Sequence, residues 1–202
     1  MNVKICGITS LEAAEYAVKY GAKAIGFVFA ESKRKISPAK AKEIIAKIPS
    51  DLLKVGVFVN ESKETIEEIV RETGINVIQL HGEEDSTFAQ HFQLPVIKAF
   101  NIAKREDLDT AREYKSEYVL LDSPKGKYRG GNGIAFDWSI LNGYDFGEKK
   151  VILAGGLKEE NVTAAIQVAN PYMLDVSSGV ETDGVKDVEK IKKFLQIALN
   201  HK

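Results

Sequence analysis

Val3-Lys4-Ile5-Cys6-Gly7-Ile8-Thr9 joins a short β-prone run to the start of a helix and leaves a lone thiol at the junction. Val3 to Cys6 has the apolar, β-branched character of a strand. Leu11 to Tyr20 then places Leu11, Ala14 and Val18 on one helical face, and Gly21 stops it. A single βα unit of this kind buries little by itself. The fold therefore turns on how often the unit recurs.

It recurs to the end of the chain. Ala24 to Phe29 is a second apolar run, and Ser37-Pro38 supplies an N-cap and first-turn proline for a helix through Lys47. Leu53 to Val59 is the third run, with a helix from Ser62 to near Gly74. Val77 to Leu80 is the fourth, with a helix from about Glu84 to His91. Val96 to Phe100 is the fifth, with a helix around Arg105 to Tyr114. Tyr118 to Leu121 is the sixth, followed by a long glycine-rich loop and a short helical piece near Trp138. Val151 to Leu153 and Tyr172 to Val176 are the last two, with helices from Asn161 to Ala169 and from about Asp187 to Leu199. Strands alternating with helices imply parallel pairing, and eight units fit a closed (β/α)8 TIM barrel. An open doubly wound sheet shares the alternation. The count of eight and the polar residues gathered just after the strands favour the barrel, as a single domain over residues 1–202.

The bulk properties narrow the partners. The 202 residues suit one sizeable core, and a net charge of -1 gives no electrostatic footprint for nucleic acid or a membrane surface. No apolar run approaches the ~20 residues of a membrane-spanning helix. The first residues read as a strand, unlike the charged and apolar regions of a secretory leader. One cysteine excludes an internal disulfide, so the expectation is a cytoplasmic protein.

Strand alternation selects the candidate site. Lys4 and Cys6 share a face, as do Val77, Gln79 and His81, then Tyr118, Leu120 and Asp122, then Met173 and Asp175. Cys6, His81, Asp122 and Asp175 thus fall at strand carboxyl ends and converge on one rim if the barrel closes. Gly155 and Gly156 follow the seventh strand, and Ser177, Ser178 and Gly179 follow the eighth. In a barrel those two loops are the usual phosphate cradle. Gly131, in the Gly130-Gly131-Asn132-Gly133 loop after the sixth strand, adds further amides. Each feature also has a plainer reading. A lone cysteine is most often a small buried apolar residue. Asp122 is able to close a local Asx turn. Arg34 lies in the basic run Lys33-Arg34-Lys35, ordinarily a solvated face, and Lys4 reads equally as a buried ion-pair partner. His81 beside Glu83, Glu84 and Asp85 suggests a metal site, but those acids suit a helix N-terminus, and His91 and His201 lie away from the rim. No metal is expected.

Several stretches resemble the phosphoribosylanthranilate isomerase family of tryptophan biosynthesis. They are KICGIT from Lys4, GFVF from Gly26 with SKR from Ser32, VGVFVN from Val55 and QLHGEE from Gln79. LLD from Leu120, FDWS from Phe136, LAGGL from Leu153 and DVSSGVE from Asp175 complete the set in the family's order. The chain departs at Asn132, where the family usually carries serine or threonine. The resemblance implies an Amadori rearrangement of N-(5'-phosphoribosyl)anthranilate to 1-(o-carboxyphenylamino)-1-deoxyribulose 5-phosphate, with a phosphosugar-anthranilate substrate and no cofactor. It implies Cys6 as general base, Asp122 as general acid and Arg34 as the partner of the anthranilate carboxylate. Asp175 would accept from a sugar hydroxyl and His81 would form a polar wall. A monomer is expected, with a homodimer as the alternative. A thiol of ordinary pKa ~8.5 needs a cationic setting to serve as base, for which Lys4 is the nearest candidate. An aspartate of ordinary pKa ~3.9 needs burial or nearby negative charge to serve as acid. Other phosphosugar barrels should carry a lysine acid with glutamates, or paired aspartates with a metal. A barrel that binds phosphate ligands without turnover is the non-enzymatic alternative.

Overall fold

A computed structural model describes residues 1–124 and 136–200. Eight strands run parallel and close on themselves: β1 (Asn2–Cys6), β2 (Ala24–Val28), β3 (Leu53–Phe58), β4 (Val77–Leu80), β5 (Val96–Asn101), β6 (Tyr118–Asp122), β7 (Lys150–Leu153) and β8 (Met173–Val176). The order around the barrel is the order in sequence, and β1 pairs with β8 through Lys4 opposite Asp175. Closure removes both sheet edges.

Around the strands lie α1 (Leu11–Lys19), α2 (Pro38–Ile45), α3 (Lys63–Thr73), α4 (Ser86–Ala89), α5 (Asp107–Glu113), α6 (Val162–Ala169) and α7 (Val188–Asn200). Serines begin the first three, since the Ser10, Ser37 and Ser62 hydroxyls each accept from an amide three residues on. Pro38 then fills the first turn of α2, where a missing N–H costs nothing.

α4 differs from the expected span. It is a single turn, because the Glu84 carboxylate is spent on the Gly82 and Asn60 amides and on Lys98. Asp85 caps the helix and Ser86 begins it. Near Trp138 there is only a 3-10 turn, Trp138–Leu141. Between β8 and α7 the chain adds a hairpin, β9 (Glu181–Thr182) and β10 (Val185–Lys186), that sequence periodicity does not reveal. Its turn is Asp183-Gly184 with both residues at positive φ, the backbone that a two-residue hairpin demands.

Two apolar layers follow from the alternation. Ala24, Val55, Val77, Ile97, Ala99, Leu120, Ile152, Ala154 and Met173 fill the barrel interior. Val3, Ile5, Ile25, Phe27, Leu121, Leu153 and Leu174 point outward, packing with Ala14 and Ala17 of α1 and Ile191, Phe194 and Leu195 of α7. Each such large side chain contributes about 1.5–3 kcal/mol on burial. The interior filling stops short of the carboxyl rim, where polar side chains take over.

Candidate active site

Cys6 ends β1 and Lys4 stands two residues earlier on the same inward face. Gly26 of β2 is the register partner of Cys6, and a Cβ there would stand 2.9 Å from Cys6 Sγ and 3.2 Å from Lys4 Nζ. Thiol and ammonium therefore share the space that a side chain at position 26 would occupy. Lys4 is fully buried and donates to Asp175 Oδ2 at 2.9 Å and to Gln79 Oε1 at 2.9 Å.

These donations orient a chain of polar groups across the barrel. An ammonium only donates, so the oxygen of the Gln79 amide must face Lys4 and its nitrogen must face away. That nitrogen lies 3.1 Å from His81 Nδ1, which makes Nδ1 an acceptor and puts the imidazole proton on Nε2. His81 Nε2 then lies 3.4 Å from Asp122 Oδ2. The other Asp122 oxygen accepts the amide of the next residue, Ser123, at 2.8 Å, one residue short of the Asx turn of the plainer reading. Asp175, Lys4, Gln79, His81 and Asp122 thus link the β1 side of the mouth to the β6 side.

Burial pushes the Cys6 thiol above its ordinary value, and the Lys4 ammonium offsets this only in part. Lys4 is itself desolvated, but Asp175 and, after it, Cys6 together more than compensate and hold it above an ordinary lysine. Lys4 is therefore an ion-pair partner as well as a neighbour of the thiol. Among the described residues Asp175 Oδ1, which is buried, has no hydrogen-bond partner, so the carboxylate keeps one accepting edge at the cleft.

Arg34 is held, not solvated. Its Nε and Nη2 donate to Glu181 Oε1 and Oε2 at 2.7 and 2.8 Å, a two-point grip that raises the guanidinium further. Its aliphatic stem lies across Gly7, where a Cβ would collide with it. Lys186 of the hairpin donates to Glu181 Oε1 and to the carbonyl and hydroxyl of Ser177, and the Ser177 hydroxyl donates to the Cys6 carbonyl at 3.1 Å. Burial lowers Lys186, opposed by Glu181. Glu181 sits below the usual carboxylate range because Arg34 and Lys186 together outweigh its desolvation.

Cys6, Arg34, His81, Asp122 and Asp175 line one cleft of about 250 Å3, with Gly155, Gly156, Ser177 and Ser178 on its wall. Gly179 stands behind them, so close to the Leu157 carbonyl that a side chain would overlap it, which locks the β7 and β8 loops together. Gly131, Asn132 and His201 lie outside the described residues. Among the described residues no group of three or more His, Cys, Asp or Glu side chains is arranged to hold a metal. No helix among them is long and apolar enough to cross a membrane.

A family model described as N-(5'phosphoribosyl)anthranilate (PRA) isomerase matches residues 3–197. The chain belongs to that family. An N-(5'-phosphoribosyl)anthranilate isomerase of Bacillus mycoides is 53% identical over 199 residues, covering 98% of each chain. The phosphoribosyl anthranilate isomerase structure from Thermotoga maritima superposes with a TM-score of 0.91 at 42% identity and 98% coverage of both chains. A second isomerase structure, solved with reduced 1-(o-carboxyphenylamino)-1-deoxyribulose 5-phosphate, gives a TM-score of 0.88 at 41% identity, again over 98% of each.

Within this isomerase family frame, three site residues escape a reading of motifs and spacing. Gln79 shares the inward face with His81 but lies a layer below the rim. Glu181 closes the DVSSGVE stretch, and Lys186 follows an Asp-Gly turn. That Asp-Gly pair was the available signal for a hairpin.

Proposed function

We propose that this chain converts N-(5'-phosphoribosyl)anthranilate to 1-(o-carboxyphenylamino)-1-deoxyribulose 5-phosphate, the isomerisation of its family in tryptophan biosynthesis. The observation that carries this reading is a thiol and a carboxyl group at the ends of β1 and β6, both lining one cleft beside the β7 and β8 loops. In the reaction Asp122 gives a proton to the furanose ring oxygen, the C1'–O bond breaks, and C1' becomes an iminium carbon. Cys6 takes the proton from C2', and the released electron pair forms the C1'=C2' bond of an enolamine. The enolamine gains a proton at C1' and loses the one on O2', leaving the ketone. No atom is gained or lost overall. The iminium is the electron sink, so the step calls on no metal and no cofactor.

Burial favours the thiol form of Cys6. The iminium places a positive charge beside Sγ and favours the thiolate when it is needed. Arg34 has three N–H groups left beyond the two given to Glu181, enough for a second carboxylate, that of anthranilate. Asp175 Oδ1 accepts from a sugar hydroxyl, and His81 walls the cleft beside Asp122. Amides of the Gly155-Gly156 and Ser177-Ser178 loops take the phosphate. All these residues come from one barrel, so a monomer suffices, and a single domain over residues 1–202 in the cytoplasm completes the reading. The test is the loss of anthranilate fluorescence from freshly generated phosphoribosylanthranilate. Rapid loss with the folded chain is expected. No acceleration, with affinity for product retained, would turn the reading to a barrel that only binds.

A further inference from the structure

We propose that Glu181 is a positioning residue for the substrate carboxylate, acting through Arg34, and that Lys186 keeps this cluster cationic. The inference rests on the role given to Arg34 above. Arg34 sits in the loop between β2 and α2, and an arginine loses substantial rotamer freedom when a ligand immobilises it. Glu181 removes that freedom in advance. Its two oxygens hold Nε and one Nη2 proton, so the remaining N–H groups project in a fixed direction at the cleft mouth.

Charge is the difficulty with such a grip. An arginine paired only with a glutamate is neutral as a unit and attracts a carboxylate weakly. Lys186 answers this. Its side chain is 2% exposed, and its three protons meet three acceptors, Glu181 Oε1 and the carbonyl and hydroxyl of Ser177. That is the geometry of an ammonium. Two cations around one anion leave a net positive charge for the incoming ligand. The hairpin explains how one carboxylate meets both cations, since β9 and β10 place Lys186 directly opposite Glu181. The same lysine reaches the Ser177 loop, tying the aryl end of the site to the phosphate end.

Glu181→Gln isolates the positioning effect. A glutamine amide has one accepting oxygen and a donating nitrogen, so it cannot take both Nε and Nη2, and the two-point grip on Arg34 is lost. Affinity would be measured by titration calorimetry with two ligands: the reduced carboxyphenylamino deoxyribulose phosphate, and the same compound with plain phenyl. The unsubstituted chain should prefer the carboxylate ligand. Glu181→Gln should weaken that ligand about five- to tenfold, the cost of immobilising one rotamer-rich side chain. It should leave the phenyl ligand within about twofold, and kcat should change less than KM. In an Arg34→Ala background Glu181→Gln should do nothing further. Glu181→Asp, which keeps the charge but withdraws it by one methylene, carries the same test if the glutamine variant does not fold. Equal weakening of both ligands, no weakening of either, or full additivity with Arg34→Ala would overturn the proposal while leaving Arg34 in its role. No preference for the carboxylate in the unsubstituted chain would remove the role of Arg34 and this proposal together.

Discussion

At the scale of single residues the site turns on Cys6, whose burial opposes the charge that its proposed role as base requires. Desolvation raises the thiol, with Lys4 offsetting part of the rise. The proposed mechanism needs Cys6 deprotonated and Asp122 protonated together, so kcat/KM is level between their two ionisations and does not isolate the thiol. Alkylation by iodoacetamide does: its rate at Cys6 should climb throughout from about pH 6 to about pH 9, because the ordinary thiol value of about 8.5 already lies near the top of that range. A rate that levels off near neutral pH would mean that Lys4 outweighs the burial. Gly26 is the second residue with a sharp consequence. Gly26→Ala puts a methyl group against Cys6 Sγ and Lys4, and overpacking of this kind costs about 1–3 kcal/mol. Turnover should fall with stability, read by steady-state kinetics and urea unfolding. Unchanged values of both would mean that the thiol and ammonium have room to move. Position 26 was visible in the sequence only as a glycine within a strand. Its purpose depends on which β1 residue faces it, and that is set by register.

Among the elements, β1 and β8 matter most, because the barrel closes between them through a buried ion pair. Lys4 is 0% exposed and donates to Asp175 at 2.9 Å. Lys4→Met would leave the Asp175 carboxylate desolvated without its cation, a change worth about 3–5 kcal/mol. Chemical denaturation should show that loss, and a loss below about 1 kcal/mol would mean that water compensates Asp175. The pH sign follows from Lys4. Asp175, with Cys6 beside it, holds the folded ammonium above its ordinary value despite desolvation, so the stabilisation is complete below about pH 10. It is lost as pH rises through the folded value. The strands were legible because parallel strands buried on both faces read as apolar runs, and β4 matches its expected span residue for residue. The α4 helix was less legible. Acidic residues there satisfy loop amides, which periodicity cannot distinguish from a helical first turn. The β9–β10 hairpin was missed because strands of two residues have no period to detect.

For the whole molecule, closure turns eight scattered strand ends into one rim. Cys6, His81, Asp122 and Asp175 were legible because alternation fixes their direction and closure fixes their convergence. Gln79, Glu181 and Lys186 were not, since each acts through a partner set by the fold: Gln79 meets Lys4 across 75 positions, and Glu181 meets Arg34 across 147. Arg34 read from its neighbours as part of a solvated basic run and entered the site only through the resemblance, and its prior engagement by Glu181 was not legible at all. The central claim is that one thiol and one carboxyl group, brought from β1 and β6 to a common cleft, carry the isomerisation. The most direct test follows anthranilate fluorescence from freshly made phosphoribosylanthranilate with the unsubstituted chain, Cys6→Ser and Asp122→Asn side by side. The account predicts fast decay with the first, and a loss of at least about 10²-fold in kcat/KM with each variant, product affinity being largely kept. Near-normal decay with either variant, in a protein that still binds product, would contradict it.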